Sequence, residues 1–227
     1  MTIPVKDANG NTVTINTIAD LMALLPAAIG SAASSASLPV VIASDQADLS
    51  AKDMARVFSV AGTTLTRPAN TTAYSAGDAI SDNATAGSVT ALPATVSDTN
   101  DAPVTLTEIE LDTTDTGLAA GTIVDVFVYN SDPTASSGVG GGDNAAFSNK
   151  RAGFRARFRG TFLAFSDGGK ATCVPIDGAG NVLPAVNIAV ESGGKRLWCQ
   201  YKAVTAFTPS ANSTTIAPRF KGFQNRA

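Results

Sequence analysis

Three arginines stand at alternate positions of one short segment, and their side chains can bind anions. Arg155, Arg157 and Arg159 are interleaved with small or apolar residues, namely Phe154, Ala156, Phe158, Gly160 and Phe162. A period of two residues is typical of a β-strand, so the arginines should share one face and the phenylalanines should face the core. Since guanidinium groups bind carboxylates and phosphates, this strand is the first candidate for contact with an acidic partner.

The arginines repel one another along the strand unless an acidic group lies opposite them. The sequence leaves three sources of such a group open. Carboxylates of a neighbouring strand are the first, with Glu108, Glu110 and Asp112 as candidates. An acidic surface on a neighbouring molecule is the second. Nucleic acid is the third, and we predict against it because no exposed aromatic residue is expected among the arginines and the net charge is −3.

Two carboxylates could also do chemistry together. Glu108 and Glu110 should share one strand face, and paired carboxylates are the catalytic groups of glycoside hydrolases. Glycan-cleaving clefts are usually rich in aromatic residues, whereas this chain is 6% aromatic and has one tryptophan, Trp198. The chain has no histidine, which excludes Ser-His-Asp and Cys-His catalytic systems. We therefore predict a protein that is not an enzyme.

Signals for cofactors and metals are weak. Cys173 and Cys199 are too few for a zinc site or a disulfide framework, and the sequence favours two buried free thiols over a single bridge. The Gly-rich segment 136–143 lacks the Gly-Lys-Ser/Thr ending of a phosphate-binding loop, so it predicts an exposed, mobile loop. Segment 177–181 lacks the alternating acidic residues of a calcium loop and predicts a hairpin turn. We expect no cofactor and no metal.

The best helical pattern lies near the start of the chain. Within residues 16–29, apolar residues recur at helical spacing at Ile18, Leu21, Met22 and Leu25. Pro26 should kink or end this helix. Because so short a helix is unstable alone, its apolar stripe should bury either on its own domain or against copies of itself around a symmetry axis. A hairpin should precede it, with strands at 3–6 and 12–15 around Asn9-Gly10.

From residue 57 onward the pattern is that of strands and turns. Residues 122–129 form a β-branched run that predicts a central strand. Residues 104–111 alternate but change phase, and a bulge between Leu106 and Ile109 would bring both halves to the core. About ten short strands are expected. The predicted fold class is mainly β: an antiparallel β-sandwich or jelly roll at 47–227, with an N-terminal arm at 1–46 that carries one short helix.

Charge is divided unevenly along the chain. Residues 1–149 hold 4 Lys/Arg and 16 Asp/Glu, a balance of −12, whereas residues 150–227 hold 12 Lys/Arg and 3 Asp/Glu, a balance of +9. Opposite regions of neighbouring subunits could therefore attract each other, or the two halves could neutralise each other within one sheet. No signal peptide and no apolar run long enough to span a membrane is visible, so we expect no membrane partner.

Two segments carry a resemblance to a known class of proteins. Residues 37–46 read SLPVVIASDQ after an Ala/Ser-rich lead-in, and residues 66–78 read TRPANTTAYSAGD. Both resemble segments of virion structural proteins of tailed bacteriophages, the second resembling the start of their β-rich domains. The resemblance implies a structural role in the virion and carries over no catalytic or ligand residue.

Within that class, the sequence favours an oligomeric capsid decoration (cement) protein or a head fibre protein. We expect a homotrimer on the capsid surface, assembled in the host cytoplasm, whose arm is anchored and whose β-domain points outward. Its partners would be copies of itself and the major capsid protein or other virion proteins. The alternative is a tail-associated fibre or adhesin that binds host-surface glycans. An enzyme acting on cell-wall polysaccharide is the third hypothesis.

Overall fold

A computed structural model describes residues 3–6, 12–15, 56–119, 121–134 and 141–224. The chain divides into two compact units, Met1–Leu49 and Ser50–Ala227. In the first unit, strands β1 (Ile3–Lys6) and β2 (Thr12–Ile15) pair antiparallel, which confirms the predicted hairpin. The predicted helix at 16–29, with Ile18, Leu21, Met22 and Leu25, and the segment 37–46 lie outside the described residues.

The second unit is built almost entirely of strands. A short 3-10 helix, Ala86–Ser88, is the one helical element among its described residues. The strands are β3 (Arg56–Ala61), β4 (Leu65–Thr66), β5 (Ala79–Ile80), β6 (Pro93–Thr95), β7 (Val104–Thr113), β8 (Ile123–Tyr129), β9 (Phe154–Thr161), β10 (Leu163–Phe165), β11 (Gly168–Ile176), β12 (Val186–Ile188), β13 (Arg196–Ala203) and β14 (Thr215–Gln224).

All twelve strands join one antiparallel sheet, in the order β3-β14-β7-β11-β9-β8-β13-β5. Four short strands attach beside this path: β10 pairs with β11, β12 with β7, β4 with β14 and β6 with β13. The long strand β11 changes partner along its length. It pairs with β7 through Gly169–Cys173 and with β9 through Val174–Ile176. The predicted mainly-β class is confirmed, and the central position predicted for residues 122–129 matches β8.

One hydrophobic core contains side chains from strands along the whole path, including β7, β8, β9, β11, β13 and β14. Strand β7 reaches this core in two phases, as predicted. Leu106 lies opposite Gly222 and Glu108 lies opposite Lys221, so Thr107 between them is a bulge. The bulge shifts the alternation by one residue, and it brings all four apolar side chains inward: Val104, Leu106, Ile109 and Leu111.

The two ends of the sheet come close to each other. Thr63, just after β3, donates its backbone N–H and its hydroxyl to the carbonyl of Pro93 in β6, at 3.0 and 2.9 Å. Because β6 pairs with β13, this contact links strands that are far apart in the sheet order. Within the described part of the chain, no helix is long and apolar enough to span a membrane.

A buried arginine, Arg67, connects several loops of this unit through hydrogen bonds and ion pairs. The side chain of Arg67 is fully buried; its Nε donates to the Tyr74 hydroxyl at 2.7 Å and its Nη1 to Thr214 Oγ1 at 3.1 Å. Two buried carboxylates lie beside its guanidinium group, Asp115 at 3.5 Å and Asp143 at 3.8 Å. Burial, together with the neighbouring Asp143, raises the pKa of Tyr74, so its hydroxyl stays protonated and donates to Asp143.

Candidate interaction surface

Strand β9, which carries the three arginines, contains a β-bulge that its sequence pattern does not predict. Ala156 lies opposite Val128 and Phe154 lies opposite Tyr129, so Arg155 is a bulge residue with no partner in β8. The bulge carries Phe154 to the outer face, where its ring contacts Phe127 and Tyr129 at centroid distances of 6.0 and 5.9 Å. The prediction that Phe154 shares the core face with Phe158 is therefore wrong, whereas Ala156, Phe158, Gly160 and Phe162 are buried as predicted.

The acidic partner of the arginines is Asp125 in β8. Arg159 forms a two-pronged ion pair with it, Nε to Oδ1 at 2.7 Å and Nη2 to Oδ2 at 3.0 Å. Arg157 lies 3.9 Å from the same carboxylate and donates to the Asp177 carbonyl at 2.8 Å. The Asp125 hydrogen bond raises the pKa of Arg159. A strand neighbour thus supplies the counter-charge, but it is none of Glu108, Glu110 and Asp112.

Those three carboxylates belong to other ion pairs. Lys221 bridges the two glutamates, with its Nζ 2.8 Å from Glu108 and 2.5 Å from Glu110. These contacts raise the pKa of Lys221. Asp112 pairs with Lys170 at 3.1 Å, where both side chains are exposed. Glu108 and Glu110 share a face as predicted, and a single lysine between them pairs with both carboxylates.

The face around Asp125 carries an excess of positive charge. The fully buried Asp125 carboxylate serves three cations, because the Nζ of Lys202 also lies 3.6 Å from it. Asp177 adjoins this group through the Arg157 contact to its carbonyl, and Asp132, Glu191 and Arg196 line a groove together with Arg155. The balance is +1, from five cations and four carboxylates: Arg155, Arg157, Arg159, Arg196, Lys202, Asp125, Asp132, Asp177 and Glu191. One buried anion organises the patch without neutralising it.

Aromatic side chains lie beside this charge but are largely covered. Phe127, Tyr129 and Trp198 form a second hydrophobic cluster, separate from the main core, and Phe147 packs against Phe127 at 4.5 Å between centroids. Tyr129 also donates to Asn149 at 2.8 Å, so segment 147–149 lies over this cluster. The rings of Phe127, Tyr129 and Trp198 are buried, and Phe147 is half-buried, so they offer little open area for stacking.

Two grooves flank the bulge. The first has a volume of about 320 Å³ and mostly apolar walls, which include Phe127, Phe154, Ile176, Leu183 and Val186. The second is more open, with a volume of about 610 Å³. Polar side chains surround the edge of Trp198 there: Asn130, Ser131, Asp132, Glu191, Ser192 and Arg196. Arg155 lines both grooves, at the point where they adjoin.

Arg155 differs from the other arginines of its strand in having no acidic partner. Its one hydrogen bond in the described structure runs from Nη1 to the carbonyl of Phe154, at 3.4 Å. Arg157 and Arg159 are held by Asp125, whereas Arg155 is exposed and lies free beside two grooves. Of the three arginines that the sequence treats alike, Arg155 is the one without a carboxylate partner among the described residues.

The other sites that the sequence suggested have structural roles. Residues 141–143, at the end of the Gly-rich segment, are buried, so the prediction of an exposed loop is wrong for them. Asp143 is held there by the Tyr74 hydroxyl and by the Ser81 N–H at 3.0 Å. Residues 136–140 of that segment lie outside the described residues.

Segment 177–181 is the predicted hairpin turn, because the Asp177 carboxylate accepts the backbone N–H groups of Ala179 and Asn181. Cys173 and Cys199 are free and buried, as favoured by the sequence, and burial raises the pKa of Cys199 to about 12. No group of metal-binding side chains is found among the described residues.

Asp125 and Lys202 are the members of the surface that sequence reasoning missed. The available signal was an aspartate inside the apolar run Ile123–Tyr129, since a buried carboxylate requires cations nearby. No protein-family model matches the chain, and no curated protein matches it. The candidate site is therefore defined by its own geometry, as a cationic protein surface with an apolar groove.

Proposed function

We propose that the chain is a non-enzymatic virion structural protein of a tailed bacteriophage. Its role within that class would be an oligomeric capsid decoration (cement) protein or head fibre protein, located on the capsid surface. The observation that carries the proposal is the positive patch around Asp125 with the unpaired Arg155 beside an apolar groove. Such a surface suits contact with an acidic protein surface, because opposite charge speeds docking and apolar burial holds it.

The finer architecture belongs to the same proposal. The described strands would form an antiparallel sandwich of the jelly-roll type, in which β11 crosses between the two layers by changing partner at Cys173 and Val174. Strands that switch layers make the corners of such sandwiches. The residues before position 47 would form an arm, and the helix carrying Ile18, Leu21, Met22 and Leu25 would assemble the subunits into a trimer.

The physical mechanism of a decoration protein is mass action. Each copy would bind the assembled shell and not its free subunits, so binding would shift the equilibrium toward the shell. A trimer would present three arms and three cationic patches, and simultaneous contacts would multiply their weak individual affinities. The partners would be the major capsid protein or other virion proteins, with no nucleic acid and no membrane involved.

A second candidate is a tail-associated fibre or adhesin that binds host-surface glycans. The observation that favours it is the open groove of about 610 Å³, where the Trp198 edge lies among polar side chains. Aromatic edges and convergent polar groups suit the binding of sugar rings. The tryptophan itself is 5% exposed, and the Arg196 guanidinium lies over its ring at 5.1 Å, so the decoration role is preferred.

The two candidates are separated by immunogold electron microscopy on intact virions, with an antibody raised to the purified chain. Dense label over the head supports the decoration role. Sparse label at the tail tip supports the adhesin, and absence of label from the virion overturns both. In a second measurement, purified chain is added to heads that lack it, and head survival is followed during heating and at increasing salt. A decoration protein should raise survival, whereas unchanged survival contradicts that role.

A further inference from the structure

The bulge at Arg155 creates a place for an anionic group that the remainder of the strand does not provide. Bulges re-aim a side chain, and this one places a guanidinium at the mouth of the apolar groove. The apolar walls of this groove include Phe154, Ile176, Leu183 and Val186. A ligand that fits must therefore offer a carboxylate or another anion together with apolar side chains.

We propose that this groove binds an extended, acidic polypeptide segment of the partner, with Arg155 as the anchor for a carboxylate. The segment would alternate acidic and apolar residues, so that a carboxylate meets Arg155 while a neighbouring apolar side chain enters the groove. This inference rests on the proposed virion role for the identity of the partner, but the chemistry of the groove does not depend on that role.

Charge complementarity selects this occupant over others. The patch has an excess of +1, and the rings beside it are buried or half-buried, so a nucleic acid strand finds neither a high density of positive charge nor an open stacking platform. A groove of about 320 Å³ lies at the lower end of the size of ligand pockets and holds a few side chains. Arginine in a fixed position binds a planar carboxylate through two hydrogen bonds.

Arg157 and Arg159 have a different assignment in this proposal. Their guanidinium groups neutralise the buried Asp125, so neither is the anchor for the carboxylate of the ligand, although Arg157 also lines the groove. The sequence alone treats all three arginines as equivalent, whereas the structure assigns ligand binding to one of them. An experiment can measure this difference in role between Arg155 and the other two arginines.

The test uses the full chain and three capped hexapeptides. One alternates Glu and Leu, one alternates Glu and Ser, and one alternates Lys and Leu. We expect the Glu-Leu peptide to bind, with NMR shifts at Arg155, Phe154, Leu183 and Val186, and the other two to bind more weakly or not at all. The Arg155→Gln variant should lose affinity by about tenfold or more, since a charged hydrogen bond is removed.

Arg219→Gln is the matched control, because Arg219 is also an exposed strand arginine and has no ion pair with a described carboxylate. It should bind the Glu-Leu peptide as tightly as the natural chain does. Equal affinity of Arg155→Gln and the natural chain would overturn the proposal, as would equal binding of the Glu-Ser and Glu-Leu peptides. Binding of inorganic polyphosphate in preference to all peptides would overturn it too.

The same variants separate this inference from the virion role. If the Glu-Leu peptide binds through Arg155 but the chain attaches to no phage head, the groove stands and the proposed function fails. If the chain attaches to heads and Arg155→Gln attaches equally well, the virion role stands and the groove proposal fails. Urea unfolding of each variant shows that it is folded, and we expect unchanged midpoints because both side chains are exposed.

Discussion

Arg67 and the arginines of β9 meet aspartates in opposite surroundings. Arg67 is a single cation between two carboxylates, and all three side chains are fully buried. On β9 the ratio is reversed, since Asp125 is a single buried carboxylate below Arg157 and Arg159, which keep 22% and 36% of their side-chain area exposed. The first group therefore lies wholly inside the protein, and the second opens to its surface.

The two groups also differ in how their excess charge is compensated, which is negative around Arg67 and positive around Asp125. Asp115 accepts backbone N–H groups from Gly117, Leu118 and Ser210, so hydrogen bonds satisfy what Arg67 does not. Arg67 Nη2 and Asp143 Oδ2 are nevertheless buried without a hydrogen-bond partner among the described residues. The fold therefore compensates most of the buried group, whereas the exposed sides of the β9 arginines are open to water or to another molecule.

The largest effect is expected for Arg67→Met. Removing the guanidinium leaves two buried carboxylates without their counter-charge, which should lower the free energy of unfolding by about 3–5 kcal/mol. The measurement is urea unfolding followed by circular dichroism. Arg219→Met, at an exposed strand position, is the control and should stay within about 0.5 kcal/mol of the natural chain. A loss for Arg67→Met as small as that of the control would show that the buried group is not structural.

Asp125→Asn should have a smaller effect, because the cations it leaves behind reach water. We expect a loss of about 1–3 kcal/mol in the free energy of unfolding, from the charged hydrogen bonds to Arg159. The variant should also regain part of its stability in high salt, since screening weakens the repulsion among Arg157, Arg159 and Lys202. Asp112→Asn, which breaks the exposed pair with Lys170, is the control. Equal losses in both variants would contradict the central role of Asp125.

The contrast between the two bulges shows where sequence reasoning succeeds. At Thr107 the apolar residues on either side are out of phase, so the pattern itself required an extra residue. At Arg155 the phenylalanines on either side remain in phase, because Phe154 and Phe158 are four residues apart. The pattern there predicted one face for both, and the bulge became visible only from the pairing with Val128 and Tyr129.

Contacts between residues that are distant in sequence were the second feature that the sequence did not predict. Asp125 was hidden in an apolar run, and its pairing with Arg159 depends on β8 and β9 being neighbours in the sheet. Local patterns predict strands and turns, but they do not fix which strands lie side by side. The strand order therefore could not be read from the sequence, and with it the choice among Glu108, Glu110, Asp112 and Asp125. The helix at 16–29 stays a prediction.

The smallest effect concerns Asp177, a partly exposed aspartate in the turn after β11. Asp177 accepts hydrogen bonds from the backbone N–H groups of Ala179 and Asn181 and from the Asn181 side chain, each at 2.8 Å. These bonds favour the charged form, and they lower the pKa of Asp177 below its ordinary value. The turn should therefore contribute stability that depends on pH.

The sign follows from the lowered pKa. A carboxyl group whose pKa is lower in the folded state stabilises the fold above its unfolded pKa, about 3.9, and this contribution disappears as the pH falls through the folded value. The melting temperature of the natural chain should exceed that of Asp177→Asn by a constant amount above about pH 5, and the gap should close in more acidic solution. Taking the difference between the two proteins removes the titration of all other carboxyls. A gap that persists unchanged to the most acidic pH at which both proteins fold would mean that the charge of Asp177 does not stabilise the turn.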